Sequence, residues 1–154
     1  MSDNPKISYE DVLNTRGKLI YTNVGTSMMP LLRQNRDLMI IEKASDVRCK
    51  KYDAVLYKRK NGQYVLHRIL KVRKNDYVIC GDNCCHREYG VTDDQILGVL
   101  TAVVRDGKTI SVNDRRYLLY VHLWCDFFHI RVCLLMIKRF FEKMKRAARG
   151  DKGE

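Results

Sequence analysis

Proline and glycine are scarce in this chain, with two prolines and nine glycines among 154 residues. So few of these residues leave no room for a long flexible linker. The first six residues are polar and no apolar stretch follows them, so we expect no secretory signal peptide. Without an export signal, the six cysteines are interpreted as reduced thiols. We therefore expect a cytoplasmic or peripheral membrane protein.

The composition is that of a globular protein with a basic balance. Hydrophobic residues make up 45% and charged residues 31%, which excludes a disordered acidic tail, a collagen and a polytopic membrane protein. The 29 Lys and Arg against 18 Asp and Glu give a net charge of +11, which favours an anionic partner. Residues 114–149 hold nine Lys and Arg against three Asp and Glu. The anionic partner is therefore predicted to bind mainly the C-terminal tail.

Residues 1–113 fall into two segments with different patterns. Residues 1–19 form an N-terminal extension, in which Ser8-x-x-Asp11 predicts a short capped helix. Residues 20–113 contain short apolar runs separated by turn residues, which predict a mainly β fold, an antiparallel sandwich or small barrel. The predicted strands cover residues 37–42, 54–57, 64–72, 77–80 and 96–104, and Asn61-Gly62 and Asp106-Gly107 predict tight hairpins.

Residues 114–154 form a basic tail with a long apolar run at residues 117–137. That run could span a membrane by length, but Asp126 and Arg131 near its middle would each cost about 2.5–3.5 kcal/mol. Helical spacing puts Arg131 on the same face as Lys138 and other charged residues, and no single clean apolar stripe results. We predict one or two amphipathic helices, which lie on an anionic membrane surface or pack on the domain itself.

A serine in a turn carries the most informative chemistry. Ser27 lies in Gly25-Thr-Ser-Met-Met-Pro30, and alone such a serine is most often an ordinary turn residue. Four further blocks follow it in order: Asp37-Leu-Met-Ile-Ile, Tyr52-Asp-Ala-Val-Leu-Tyr, Val65-Leu-His-Arg-Ile and Gly81-Asp-Asn. Together the five blocks resemble the signal peptidase I and LexA-type superfamily of serine peptidases, over roughly residues 21–100. The chain looks most like small bacterial members without an N-terminal membrane anchor.

The resemblance implies a signal-peptidase/LexA-like β-fold and a serine endopeptidase that cleaves a leader or precursor peptide through an acyl-enzyme. The family's nucleophile matches Ser27, and its general base, a lysine in most bacterial members, matches His67. A Ser/His pair is similar to that of the endoplasmic-reticulum and archaeal signal peptidases. Their acidic residue matches Glu88 by spacing, while Asp82 matches the aspartate of the Gly-Asp-Asn box. Which of these two carboxylates completes the triad stays open, and neither a cofactor nor a metal is implied.

Elementary chemistry agrees with these roles. A serine hydroxyl is a poor nucleophile until a neighbouring base takes its proton, and a histidine can do so at neutral pH. A carboxylate behind the histidine would fix its tautomer. His67 lies in an apolar run, so a structural core histidine is the alternative, and Lys71 is the nearest lysine that could replace it as base. Gly25 offers no side-chain donor, so backbone N–H groups, including that of Ser27, would stabilise the oxyanion.

Two competing interpretations concern other parts of the sequence. Cys80, Cys84, Cys85 and His86 are residue types that bind zinc, but their spacing is poor, and a buried thiol followed by loop thiols is favoured. A redox role for the vicinal cysteines stays open. The alternative function is a catalytically weak or inactive peptidase-fold protein that regulates through membrane or nucleic-acid binding. Nucleic acid is not the expected partner, because no helix-turn-helix fits before residue 20.

Overall fold

The computed structural model describes residues 8–45 and 47–148, so the first seven residues of the predicted extension and the last six of the tail lie outside the described residues. The helices are α1 (Tyr9–Arg16), α2 (Arg115–Asp126) and α3 (Phe128–Ala148), with a 3-10 turn at Asp93–Gln95. The strands are β1 (Lys18–Thr22), β2 (Leu38–Lys43), β3 (Ala54–Lys58), β4 (Tyr64–Val72), β5 (Tyr77–Cys80), β6 (Glu88–Val91), β7 (Ile96–Arg105) and β8 (Lys108–Ser111).

The eight strands form one antiparallel sheet, which confirms the mainly β prediction. The strand order is β1-β2-β7-β3-β4-β5-β6. β7 is the longest strand and pairs with β2 along one edge, while its other edge pairs first with β3 and then with β8. The five predicted strands are confirmed. β1, β6 and β8 escaped prediction because each is only four or five residues long, too short to show a clear alternation of apolar and polar residues.

Local turn chemistry explains the hairpins and the first helix. Gly62, between β3 and β4, has φ +83°, and Asp106 and Gly107, between β7 and β8, have φ +49° and +74°. Such left-handed conformations suit tight hairpin turns, so both hairpin predictions are confirmed. Ser8 caps α1 through a capping box with Asp11, as predicted.

Two apolar clusters pack against the sheet near Ser27 and His67. The first lies beneath α1 and includes Leu13, Met28 and Leu32. The second includes Tyr57 and Ile69. Because side chains alternate along a strand, His67 projects to the same side of β4 as Ile69, towards the second cluster. Met28 is buried in the first cluster and is the sequence neighbour of Ser27, and Ser27 and His67 line the same cavity.

The tail forms two helices that meet at a sharp bend. α2 packs on the domain through Tyr117, Val121 and Cys125. In the described residues no single helix is long and apolar enough to cross a membrane, although α2 and α3 pass that test jointly, at an angle of 84° to each other. Arg131 is buried, although the sequence pattern grouped it with exposed charges such as Lys138. The predicted faces hold for one straight helix. The bend between α2 and α3 instead packs the start of α3, with Arg131, against the loop after β5.

Candidate functional site

Ser27 lies in the connection between β1 and β2, in a series of turns fixed from both sides. The buried side chain of Met28 anchors the segment, and the Leu32 backbone N–H donates to the Met28 carbonyl at 2.9 Å. The Asn83 backbone N–H donates to the Ser27 carbonyl at 2.7 Å, and the Asn83 side chain donates to the Thr26 carbonyl at 3.2 Å. Among the described residues, the Ser27 hydroxyl and backbone N–H have no hydrogen-bond partner.

Gly81 is the point where the Ser27 segment and His67 approach each other. A Cβ atom at Gly81 would lie 2.7 Å from the Ser27 carbonyl oxygen and 2.9 Å from His67 Nε2. The Cys84 sulfur would lie 2.8 Å from the same point. Any side chain at residue 81 would therefore push these groups apart, so the close approach explains the glycine of the Gly81-Asp82-Asn83 block. It also places His67 Nε2 on the Ser27 side of the imidazole ring.

The other ring nitrogen of His67 faces Glu88. His67 Nδ1 lies 3.2 Å from Glu88 Oε1. Glu88 opens β6 and pairs with Ile79, which pairs with Ile69, so the carboxylate reaches His67 from two strands away on the same side of the sheet. The His67 side chain is 6% exposed, so this contact lies in the protein interior. The sheet register therefore brings together a histidine and a carboxylate that are 21 positions apart in sequence.

Two side chains that sequence reasoning missed hold Glu88 in place. The Tyr57 hydroxyl donates to Glu88 Oε2 at 2.8 Å and lies 3.4 Å from His67 Nδ1. Arg59 Nε donates to Glu88 Oε2 at 3.0 Å, and its Nη2 donates to Oε1. Tyr57 and Arg59 lie two residues apart at the end of β3, so they extend on the same side of the strand. The only signal in the sequence is this two-residue spacing. It indicates a shared site only once the pairing of β3 with β4 is known, because that pairing brings the two side chains next to His67.

The electrostatics of the pair follow from burial and charge. Burial lowers the pKa of His67 below its usual value, against the opposing effect of the Glu88 carboxylate. Burial alone would raise the pKa of Glu88, but hydrogen bonds from Arg59 and Tyr57 outweigh it and lower that pKa. At neutral pH the arrangement therefore consists of a neutral imidazole and an ionised carboxylate. An imidazole in this state can accept a proton at Nε2 while Nδ1–H donates to Glu88.

Asp82 has a different set of partners. Its carboxylate forms a bidentate pair with Arg68 at 2.9 and 2.8 Å, and both side chains are fully buried. The Tyr120 hydroxyl donates to the same carboxylate at 2.9 Å, and Trp124 donates to the Asp82 carbonyl at 2.8 Å. Arg68 follows His67 on β4 and therefore projects from the opposite side of the strand. Asp82 thus links the sheet to α2, and its carboxylate is occupied by Arg68 and Tyr120.

Ser27 and His67 open onto one cavity of about 540 Å³. Tyrosines from α1, β1 and β4 line part of it. The ring of Tyr9 contacts those of Tyr21 and Tyr64 edge to face, with ring centroids 5.1 Å apart in each pair. The remaining lining is mainly apolar, with Val24, Met28, Met39, Leu56, Val65 and Leu66. The cavity is therefore suited to an apolar or aromatic side chain. Lys71, the alternative base, lines a different cavity beside α2.

The cysteine cluster has the properties of ordinary thiols. All six cysteines lie in the described ranges and are free. In those ranges no group of three or more His, Cys, Asp or Glu side chains is arranged to hold a metal ion. Burial raises the pKa of Cys80 to about 11 and also raises the pKa of Cys84. Both thiols therefore stay protonated at neutral pH, which disfavours a reactive thiolate at Cys84, the first cysteine of the vicinal pair.

The geometry joins three of the four candidate residues. Ser27 and His67 line one cavity and Glu88 contacts His67, whereas Asp82 pairs with Arg68 on the other side of β4. Comparison of the chain with protein families, curated proteins and solved structures finds no match.

Proposed function

We propose that the protein is a serine endopeptidase related to signal peptidases, with Ser27 as nucleophile, His67 as general base and Glu88 as the orienting acid. The observation that carries the proposal is the orientation of His67. One of its ring nitrogens lies against Glu88 at 3.2 Å, and the other lies beside the Ser27 segment at Gly81. A histidine held only for packing has no need of an ionised carboxylate on one nitrogen and a serine segment on the other.

We also propose that the sheet is a signal-peptidase/LexA-like fold. The five sequence blocks that resemble this superfamily fall on the β1–β2 connection, β2, the start of β3, β4 and the loop after β5. In this arrangement the serine block, the base block and the Gly-Asp-Asn block converge at Gly81, which supports a shared origin of their spacing.

The proposed reaction is peptide hydrolysis in two steps. The Ser27 oxygen forms a bond to the carbonyl carbon of the substrate while His67 Nε2 accepts the hydroxyl proton. The carbonyl oxygen becomes an oxyanion, for which the Ser27 backbone N–H is a donor. Collapse of this intermediate breaks the C–N bond, and the leaving amine takes the proton from His67. Water then attacks the acyl-enzyme with His67 again as base, which releases the carboxylic acid and restores the Ser27 hydroxyl.

Glu88 acts through His67 and is a positioning residue. Its carboxylate accepts Nδ1–H, which leaves Nε2 free to accept a proton, and it stabilises the imidazolium that forms in each step. Arg59 and Tyr57 keep this carboxylate ionised and fixed. The proposed substrate is a leader or precursor peptide, and the cavity favours one apolar or aromatic side chain beside the cleaved bond. Asp82 is proposed as a structural residue that links Arg68 to α2.

A serine-directed probe tests the proposal without knowledge of the natural substrate. A fluorophosphonate should label the wild-type protein at Ser27 and should not label Ser27→Ala, because only an activated serine hydroxyl reacts at a useful rate. Ser45→Ala removes an exposed serine elsewhere and should label like the wild type. Intact-protein mass spectrometry and peptide mapping measure the product.

Two labelling results would contradict the proposal. Folded wild-type protein that stays unlabelled over the full neutral pH range would overturn the peptidase proposal and favour the catalytically inactive regulator. Equal labelling of wild type and Ser27→Ala would place the reactive group elsewhere.

Replacement of Glu88 by glutamine should slow labelling and peptide cleavage on the order of 10² or more, because the imidazolium loses its carboxylate. The acid limb of the pH profile should also move to lower pH. Burial and Arg59 lower the pKa of His67, and the variant removes Glu88, the largest of the influences that raise it. A pH series of probe-labelling rates measures both effects.

Asp76→Asn is the matched control for this change. Asp76 accepts a bidentate pair from Arg73 at 2.6 and 2.5 Å, as Glu88 does from Arg59, but it lies at the turn between β4 and β5. The control should leave both rate and acid limb unchanged. A slower rate in Glu88→Gln with an unmoved acid limb would contradict the role assigned to Glu88.

A further inference from the structure

α3 has two faces, and its apolar face points away from the domain. The inner face contacts the domain through Arg131 and Leu135, which are 2% and 7% exposed. At 3.6 residues per turn, six large apolar side chains lie within about 120° on the opposite side. These side chains, here called the outer stripe, are each more than half exposed: Ile130, Leu134, Ile137, Phe140, Phe141 and Met144. An apolar stripe of this length on a surface helix marks an interaction site.

Positive charge accompanies the outer stripe. α3 carries six Lys and Arg against one Glu. Lys138 and Lys145 border one edge of the stripe, and Lys143 lies beyond the other edge by helical spacing. The one acid, Glu142, is 3.8 Å from Lys138 and lies towards the inner face. A ligand surface that buries the stripe would therefore meet basic side chains on both sides.

These features select an anionic lipid surface among the conceivable occupants. A second copy packed stripe to stripe would bring two strongly basic helices together, which is unfavourable. Nucleic acid would pair with the charges but would leave the apolar side chains in water. A bilayer with anionic lipids takes up both, because acyl chains bury the stripe and headgroups pair with the lysines. We propose that α3 binds anionic membranes as an interfacial helix, parallel to the surface and without spanning it.

The same helix is connected to the candidate active site. Arg139 donates to the Asn83 carbonyl at 2.7 Å, and Arg131 donates to the Cys84 carbonyl at 3.3 Å. The Asn83 backbone N–H in turn donates to the Ser27 carbonyl. A membrane-bound α3 would therefore hold Ser27 close to the lipid surface. This consequence rests on the proposed peptidase function, whereas membrane binding itself does not.

Flotation of the full chain with vesicles tests the proposal. Vesicles of phosphatidylcholine with phosphatidylglycerol should carry the protein, and vesicles of phosphatidylcholine alone should carry much less. The double variant Ile137→Ser/Phe141→Ser should reduce partitioning at least about tenfold, since two large apolar side chains no longer enter the bilayer. Lys138→Gln/Lys145→Gln should also reduce it and should weaken its dependence on salt. Tyr89→Ser changes a similarly exposed side chain on β6 and should bind like the wild type.

Each outcome bears on the proposal independently of activity. The altered side chains are exposed, so all variants should keep the wild-type unfolding midpoint, and Ser27→Ala should bind vesicles normally. Equal flotation of the stripe variant and the wild type would overturn the proposal. So would absence of flotation together with a concentration-dependent dimer that the stripe variant abolishes, which would assign the stripe to a second copy. Binding to DNA in preference to vesicles would overturn it as well.

Discussion

Loss of the imidazole in His67→Ala is expected to slow peptide cleavage on the order of 10²–10⁴, the usual contribution of a general base. The Ser27 hydroxyl keeps its place because Met28 and Asn83 hold its segment independently of His67. His67→Gln provides a second variant of similar volume for the case that alanine leaves too large a void. Steady-state kinetics on a cleaved peptide, with circular dichroism to verify the fold, measure the effect.

The pH dependence tests the same residue in the wild-type protein. Only the neutral imidazole accepts the Ser27 proton, so activity should be lost as pH falls through the pKa of His67. Burial lowers that pKa, and the acid limb of kcat/KM should accordingly lie below pH 6.5, the ordinary value for histidine. An acid limb well above neutrality would contradict this assignment and would indicate a lysine base. Undiminished cleavage by both His67 variants would contradict it equally.

Replacement of Asp82 by asparagine is expected to lower the free energy of unfolding by about 3–5 kcal/mol. The change is nearly isosteric, so no cavity forms. It leaves the Arg68 guanidinium, which is fully buried, without its counter-charge. The loss should also loosen α2, because the Tyr120 hydroxyl donates to the Asp82 carboxylate that the substitution removes. Chemical denaturation followed by circular dichroism and tryptophan fluorescence measures both effects, since Trp124 is the single tryptophan.

A second substitution separates the charge effect from other causes. Arg68→Met in the Asp82→Asn background removes the uncompensated charge and should recover part of the lost stability. Asp76→Asn breaks an exposed pair and should leave the unfolding midpoint nearly unchanged. Asp82→Asn protein with full stability but no catalytic activity would make Asp82 the acid of the triad, contrary to the assignment of Glu88.

The sequence predicted those parts of the fold that local chemistry dictates. Asn61-Gly62 and Asp106-Gly107 favour left-handed turns wherever they occur, and the longer strands have runs of β-branched and apolar residues. The capping box at Ser8 is equally local. β6 could not be predicted in this way, because its four residues include Gly90 and no run of apolar residues, so its sequence resembles that of a loop. Its pairing with β5 is a tertiary contact that no local pattern records.

The bend between α2 and α3 explains why the sequence did not predict the apolar stripe of the tail. Helical spacing over residues 117–145 gave no clean stripe because the pattern was read along one straight helix. The bend at Phe127 divides the segment, and α3 considered alone has a continuous apolar stripe. The bend also buries Arg131, whose place against Phe128 and the Cys84 carbonyl exists only in the folded chain.

By itself the sequence determined the class of fold, the position of Ser27 in a turn and the candidate partners His67, Glu88 and Asp82. Only the tertiary structure shows which of the two carboxylates contacts His67, because that contact depends on which side of a strand each neighbour occupies. β4 turns His67 towards Glu88 and Arg68 towards Asp82, so adjacent residues meet different acids. The register of β3, β4, β5 and β6 fixes these pairings, and a register depends on contacts between residues far apart in the chain.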